Sequence, residues 1–218
     1  HQYLKGVGEK AQEAQSFQEL ADYVVQAVHD LTDTIVTLWT PSKNENEGDN
    51  FLRIISANES RFKENYKPIP VSPGTSISAK ALKSGKREII NDIANYPEKN
   101  LIANIDYIKI NEWNACMVVP LLGKAREKIG VLILLSKELN KFTEEESQLV
   151  QHFANHAALA LQERRHISIL EELGDIGQKL TIGQADEGKL LQTVAQLALK
   201  IAGAESVVLY PYDNSRKE

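Results

Sequence analysis

The chain has 218 residues, 42% of them hydrophobic, which suffices for one large domain or for one domain and part of another. Its 25 basic and 30 acidic side chains are interspersed and give a formal charge of −5, so composition provides no electrostatic basis for binding nucleic acid or anionic lipid. The single cysteine, Cys116, excludes an internal disulfide and fits a reducing compartment.

The N-terminal quarter of the chain predicts a helix followed by a β-hairpin. Apolar residues recur at helical spacing over residues 9–31. Residues 34–40 and 51–57 are rich in β-branched and other apolar side chains, and Pro41 and a polar run separate them. Two such runs predict antiparallel strands joined by a solvated loop.

Residues 69–92 predict a short helix that is followed by a strand. A turn at Gly74 precedes the helix, and either Thr75 or Ser76 can cap its first turn. Gly85 supplies the left-handed residue that ends such a helix.

The segment 93–113 is long, mixed and irregular, and a connection of this length inside a domain is usually functional or mobile. It carries Tyr96, Tyr107 and Trp113 together with aliphatic residues such as Ile102. Two interpretations remain open from the residues alone: the segment is a lid over a ligand, or it closes the open face of a sheet.

Residues 114–161 hold the most informative pattern in the chain. Two apolar runs, one ending at Pro120 and the next beginning at Ile129, are joined by a short basic turn and predict a second hairpin. Thr143 and Glu146 then have the spacing of a capping box at the start of an alanine-rich helix.

This order of elements resembles the GAF domain family over residues 9–161. The N-terminal half of that family contains a glycine, a short helix, a Thr/Ser-Gly-Lys turn and an apolar strand ending in Asp, matched here by Gly74, residues 79–82, Ser84-Gly85-Lys86 and residues 89–92. The resemblance implies an α/β fold of GAF/PAS type, with a central antiparallel sheet flanked by helices. The first and last helices would cover one sheet face, and the short helices and the segment 93–113 would cover the other.

Beyond residue 161 the helical pattern continues. Apolar residues four, three and four positions apart predict a short coiled-coil seam and a parallel homodimer, through Ile169, Leu173, Ile176 and Leu180. Residues 190–212 then repeat the helix-then-strand order of residues 17–41, as a tandem module would. We therefore predict a GAF domain at 1–161, a signalling linker helix at 162–183, and the first helix and strand of a truncated second GAF domain at 184–218.

The chemistry that some GAF proteins perform has little support in this sequence. GAF-fold free-methionine-sulfoxide reductases use several cysteines, whereas Cys116 has no resolving thiol. Bilin-binding members attach the chromophore through a cysteine in the lid region, and residues 93–113 contain none. His152 and His156 lie one helical turn apart, but no third metal ligand is evident near them. We expect no catalytic residue, no metal site and no cofactor.

The sequence is most consistent with a regulatory domain that is not itself an enzyme. We expect it to bind an unidentified small molecule and to relay that event through a dimeric helix to a downstream output domain. The ligand contacts expected from strand position and lid location are Trp39, Tyr96, Ile102, Tyr107, Trp113 and Cys116. The alternative is a ligand-free GAF scaffold for dimerisation, with its pocket filled by its own side chains. No signal peptide and no apolar run near twenty residues is present, so we expect a cytoplasmic location.

Overall fold

The computed structural model describes residues 2–43, 50–72, 74–181, 191–196, 198 and 207–208. Its helices are α1 Gln2–Glu13, α2 Phe17–Thr32, α3 Arg61–Asn65, α4 Ile77–Ser84, α5 Ile105–Ile110 and α6 Glu144–Thr181. Its strands are β1 Ile35–Lys43, β2 Asn50–Ala57, β3 Ile69–Pro70, β4 Glu88–Ile90, β5 Ala115–Leu122 and β6 Lys128–Ser136.

The strands form one antiparallel sheet in the order β3-β2-β1-β6-β5-β4. The predicted second hairpin is confirmed, because β5 and β6 pair from Ala115 opposite Ser136 to Leu122 opposite Lys128. The central strands β1, β6 and β5 consist largely of buried apolar residues, as expected when helices cover both faces of a sheet. The predicted α/β class with a central antiparallel sheet is thereby confirmed.

The two faces of the sheet carry separate hydrophobic clusters. Side chains alternate along β5, so Met117 and Val119 join the cluster that α2 and α6 cover. Cys116 and Val118 join the other cluster, which we call the lid-side core and which α3, α4 and the segment 93–113 cover. The predicted division of the covering elements between the two faces is correct.

Helix ends follow local chemistry that the sequence displays. The Ser76 hydroxyl accepts a hydrogen bond from the Ala79 amide at 3.0 Å, and Gly85 ends α4 with φ +70°. The Thr143 hydroxyl accepts from the Glu146 amide at 3.1 Å while the Glu146 carboxylate accepts from the Thr143 amide, which completes the predicted capping box.

The N-terminal helix differs from the prediction. The apolar periodicity predicts one helix over residues 9–31, but α1 ends at Glu13 and α2 begins at Phe17. Ser16 is the reason, because its extended backbone and its hydroxyl, which accepts from the Glu19 amide at 3.1 Å, start a new helix. The short elements α3 and β3 were not predicted either.

The chain divides into two compact units, His1–Arg164 and Arg165–Glu218. Helix α6 runs to Thr181, and residues 191–196 are helical. Most of the predicted strand at 206–212 lies outside the described residues, so the start of a second domain stays a prediction. Within the described ranges, no helix has both the length and the apolar content needed to cross a membrane.

Candidate ligand-binding site

The lid-side core contains every residue that the sequence predicts as a ligand contact. The buried members are Trp39, Ile102, Trp113 and Cys116, and the half-buried Tyr96 and Tyr107 pack against them. Residues from β1, from β5 and from the segment 93–113 therefore meet on one face of the sheet, although they are up to 77 positions apart in the chain (116 − 39).

A cavity of about 30 Å³ lies within this core, between α4, the segment 93–113 and the sheet. Ile102 and Cys116 line it, whereas Trp39, Tyr96, Tyr107 and Trp113 do not. Such a volume holds one or two water molecules, and ligand pockets are typically about ten times larger, at roughly 300 Å³ or more. A ligand larger than water would have to displace side chains of the lid or of α4.

An aromatic cluster forms one side of the lid-side core. It consists of Trp39, Phe62, Tyr66, Tyr107 and Trp113, with ring centroids 4.9–6.3 Å apart for the contacting pairs. Edge-to-face and offset contacts at these separations stabilise beyond simple area burial. Phe62 and Tyr66 come from α3 and the residue that follows it, which the sequence prediction missed. Their i, i+4 spacing was the available signal.

Two buried donors in this cluster lack a partner in the described part of the chain. The Tyr66 hydroxyl and the Trp113 indole N–H are both shielded from solvent and form no hydrogen bond there. Burial raises the pKa of the Tyr66 phenol well above its ordinary value, so the group is a neutral donor at physiological pH. Tyr66 also lines the cavity. A buried donor without an acceptor is costly, typically by about 1–3 kcal/mol, and such groups are uncommon in folded proteins.

Trp39 and Tyr96 are bonded differently. The Trp39 indole N–H donates to the Thr37 hydroxyl at 2.8 Å, within its own strand. The Tyr96 hydroxyl donates to the Glu98 carboxylate at 3.3 Å near the surface. The polar atoms of both residues already have hydrogen-bond partners. Trp39 and Tyr96 therefore contribute apolar contacts to the lid-side core and have no unsatisfied donor for a ligand.

Cys116 is unsuited to nucleophilic chemistry. The thiol is free and buried, and this burial raises its pKa to about 12. The thiolate, which is the reactive form, is therefore scarce at physiological pH. Cys116 contributes a small apolar surface to the cavity wall.

The histidine pair on α6 does not form part of a metal centre in the described residues. His152 and His156 are both exposed. Among the described side chains, no three of the metal-binding types His, Cys, Asp and Glu group together closely enough to hold an ion.

Helix α4 links the cavity to α6 through the β5–β6 turn. Ile77 and Ser78 of α4 line the cavity, and the carbonyl of Ser84 at its last turn accepts a hydrogen bond from Arg126 at 3.3 Å. Gln162 of α6, which is buried, accepts from the Lys124 amide at 2.7 Å and donates to the Glu127 carboxylate.

Comparison with known proteins identifies the relatives of this chain. The sequence profile described as GAF domain matches residues 14–162. No curated protein matches the sequence. The GAF domain of a phosphoenolpyruvate-protein phosphotransferase from Coxiella burnetii has a similar structure, with 14% identity and a TM-score of 0.61, over 77% of this chain and 95% of that one.

Two other solved structures are similar at the level of the fold. One is a methyl-accepting chemotaxis protein, with 16% identity and a TM-score of 0.58, over 74% of this chain and 98% of that one. The other is the free methionine-R-sulfoxide reductase from Neisseria meningitidis in complex with its substrate, with 14% identity and a TM-score of 0.59, over 75% of this chain and 89% of that one.

Proposed function

We propose that this chain, which belongs to the GAF domain family, is a sensory or regulatory module that binds a small molecule in the lid-side core next to Tyr66. The observation that carries this proposal is the buried, unpartnered Tyr66 hydroxyl at the wall of the cavity. The indole N–H of Trp113, 7% exposed, is a second donor of the same kind. A ligand that supplies an acceptor would satisfy a donor whose burial is otherwise uncompensated.

The chemistry of the surrounding residues defines the ligand class. The cavity wall is almost entirely aliphatic and aromatic, with the Tyr66 hydroxyl, the Ser78 hydroxyl and the Cys116 thiol as its polar side-chain groups. No acidic or basic side chain lines it among the described residues. We expect an uncharged, largely apolar molecule with a hydrogen-bond acceptor such as a carbonyl or ring nitrogen.

The small volume of the cavity implies that binding changes the protein. A molecule of even ten heavy atoms requires α4 or the segment 93–113 to move away from the sheet, because protein interiors are closely packed. Such a ligand binds the open and closed arrangements with different free energies and therefore shifts their populations. This difference is what a sensor requires.

A route for the response runs through α4, Arg126 and Gln162. Movement of α4 changes the position of the Ser84 carbonyl to which Arg126 donates, and the same turn is bonded to Gln162 of α6. We propose that α6 carries the change towards a downstream output domain of the full-length protein. In the second unit Ile169 is buried, Leu173 is 36% exposed, and the side chains of Ile176 and Leu180 lie outside the described residues. The proposed parallel dimer seam therefore remains a prediction.

A regulatory role is favoured over catalysis. The reductase from Neisseria meningitidis is an enzyme by its name, and its fold resembles that of this chain. Cys116 is the sole thiol here, and its raised pKa and burial disfavour redox or nucleophilic chemistry at this position. We propose that any enzymatic output lies outside this chain.

The second candidate is a ligand-free scaffold. It is favoured by the cavity volume of about 30 Å³ and by the dense aromatic cluster, since an interior filled by its own side chains leaves no room for a ligand. On this view the unpartnered donors would be a tolerated cost of packing.

Occupancy of the site distinguishes the two candidates. Protein purified from its own host is measured by native mass spectrometry, and a library of uncharged aromatic fragments is screened by ligand-observed NMR. We expect an adduct or fragment hits in the wild type and about tenfold weaker binding in Tyr66→Phe, which removes only the hydroxyl. Tyr96→Phe is the matched control and keeps wild-type binding, because its hydroxyl bonds Glu98 instead. A wild type that neither carries an adduct nor binds any fragment supports the scaffold.

A further inference from the structure

Two basic turns meet at one end of the sheet. Lys83 lies in the last turn of α4, and the α4–β4 turn that follows carries Lys86 and Arg87. The β5–β6 turn carries Lys124 and Arg126, and Lys128 is the first residue of β6. The hydrogen bond from Arg126 to the Ser84 carbonyl, 3.3 Å long, joins the two turns. All these side chains are exposed except that of Arg87, which is half-buried. We call this group the basic surface.

The charge of the basic surface is largely uncompensated. Arg87 pairs with Glu144, but in the described part of the chain no ion pair is formed by Lys83, Lys86, Lys124, Arg126 or Lys128. The nearby carboxylates are already bonded, Glu88 to Lys80 and Glu127 to Gln162. In a chain with a formal charge of −5, a concentration of unpaired cations on two adjoining turns is a local exception.

The β5–β6 turn contains two non-glycine residues with left-handed backbone conformation, and strain of this kind is common at binding sites. Ala125 and Arg126 have φ values of 54° and 61°, a conformation that tight hairpin turns usually assign to Asn or Gly. Each non-glycine residue in this region costs on the order of 1 kcal/mol or more, and such strain tends to persist at functional sites. Here the conformation places the Arg126 guanidinium against the end of α4.

A groove of about 650 Å³ opens beside the basic surface. Lys86 and Arg87 line it together with Glu88 and Ile89 of β4, and Glu144, Gln151 and Asn155 of α6 line its α6 side. The two carboxylates of the groove are already paired, Glu88 with Lys80 and Glu144 with Arg87. Strand β4 is an edge of the sheet that the described residues form, so no described strand pairs with its outer side. Extended peptides bind such edges through main-chain hydrogen bonds, and side chains flanking the edge select the sequence.

We propose that the basic surface and this groove bind an extended, acidic segment of a partner protein. The segment would lie along β4, with its carboxylates beside the lysines and Arg126 and its backbone within reach of the amide side chains of α6. Nucleic acid and anionic membrane are disfavoured, because their extended charge would also meet the exposed Glu145 and the net negative charge of the chain. A short acidic segment engages only the local positive charge. The proposal does not depend on a ligand in the lid-side core.

Fluorescein-labelled decaglutamate is a suitable probe, with binding followed by fluorescence anisotropy at low and near-physiological salt. We expect saturable binding that weakens as salt is added, since exposed charge pairs are screened. The variant Lys83→Glu/Lys86→Glu/Lys124→Glu should bind about tenfold more weakly or worse. The control Lys67→Glu/Lys99→Glu/Lys109→Glu makes the same change in net charge at exposed lysines elsewhere and should change affinity by less than about threefold.

The same two triple variants with Gln in place of Glu test whether loss of binding follows removal of positive charge, and thermal melts confirm that all variants fold. Equal losses in the two triple variants, or no binding by the wild type at low salt, overturn the basic surface as a site. Tighter binding to a ten-nucleotide single-stranded DNA or to vesicles containing phosphatidylserine than to decaglutamate overturns the choice of an acidic peptide.

Discussion

At the scale of single residues, the polar atoms of the aromatic side chains separate positions whose hydrogen bonding is satisfied from positions where a donor lacks a partner in the described residues. Trp39 and Trp113 are both buried tryptophans in the lid-side core, but the indole N–H of Trp39 has a hydroxyl acceptor and that of Trp113 has none in the described residues. Burial area alone would rank the two equally, since both are less than 10% exposed. Hydrogen bonding separates them, because a ligand acceptor would remove the desolvation cost of the unpaired Trp113 donor but not of the paired Trp39 donor.

Cys116 yields a prediction about alkaline stability. Its pKa is raised from 9.0 to about 12 in the fold, so above pH 9 the unfolded chain loses this proton while the folded chain retains it. The contribution of the neutral thiol to stability is thus complete below pH 9 and is lost as pH rises towards 12. We expect the free energy of unfolding, measured by urea titration, to fall more steeply over this range in the wild type than in Cys116→Ala.

Alkylation supplies the control for the Cys116 prediction. Iodoacetamide should modify the native protein at least about a hundredfold more slowly than the urea-unfolded chain, because the thiolate is both scarce and inaccessible in the fold. Parallel stability curves for the two proteins, together with rapid native labelling, would show that the thiol is neither buried nor shifted in pKa.

At the scale of elements, close approach of β6 to β1 depends on one glycine. A Cβ at Gly130 would collide with the backbone carbonyl oxygen of Trp39 on the neighbouring strand, which cannot yield as a flexible side chain would. Gly174 in α6 is the opposite case, since an added Cβ there meets nothing within 4 Å. Packing therefore requires glycine at position 130. At position 174 glycine has no packing role and only lowers the helix propensity of α6.

These two glycines form a matched pair for alanine substitution. Gly130→Ala should lower the free energy of unfolding by roughly 2–3 kcal/mol, because the strands must separate locally. Gly174→Ala should leave it unchanged or raise it by up to about 1 kcal/mol, the difference in helix propensity. Urea denaturation of both variants measures the two effects. Equal and small effects would mean that β1 and β6 do not approach as closely as described.

At the scale of the whole molecule, α6 is the element that contributes residues to both compact units. Within the first unit, its residues Phe153 and Ala157 lie in the core on the face opposite the lid, while Leu149 and Leu159 remain 48% and 41% exposed. Apolar side chains along the exposed side of a helix commonly mark contact with another helix. This pattern is compatible with the parallel dimer that the proposed relay requires.

The dimer prediction can be tested at Leu173. Leu173→Asp places a charge in the predicted seam and should convert a dimer to a monomer in sedimentation velocity measurements, because a buried unpaired carboxylate is strongly unfavourable. Leu139→Asp introduces the same change at an exposed leucine before α6 and should leave the association state unchanged. A dimer that survives Leu173→Asp would exclude this seam as the interface.

The sequence by itself determined the order of the main elements and the family of this domain. Apolar periodicity predicted the strands and the principal helices, and the local chemistry of Ser76, Gly85 and Thr143 predicted where helices begin or end. These signals are local, because capping and alternation depend on residues within a few positions of each other. The apolar run that contains Cys116 likewise indicates that its side chain is buried, as the structure shows.

The composition of the candidate site was decided only by the tertiary structure. Tyr66 reaches the cavity from the end of α3, a helix too short to produce a clear periodic signal, and it meets Cys116 and Ile102 only through the sheet order. The volume of the cavity and the missing partners of Tyr66 and Trp113 depend on how distant side chains pack together. Packing density and hydrogen-bond satisfaction arise between elements rather than within them, so no local pattern in the chain could have supplied them.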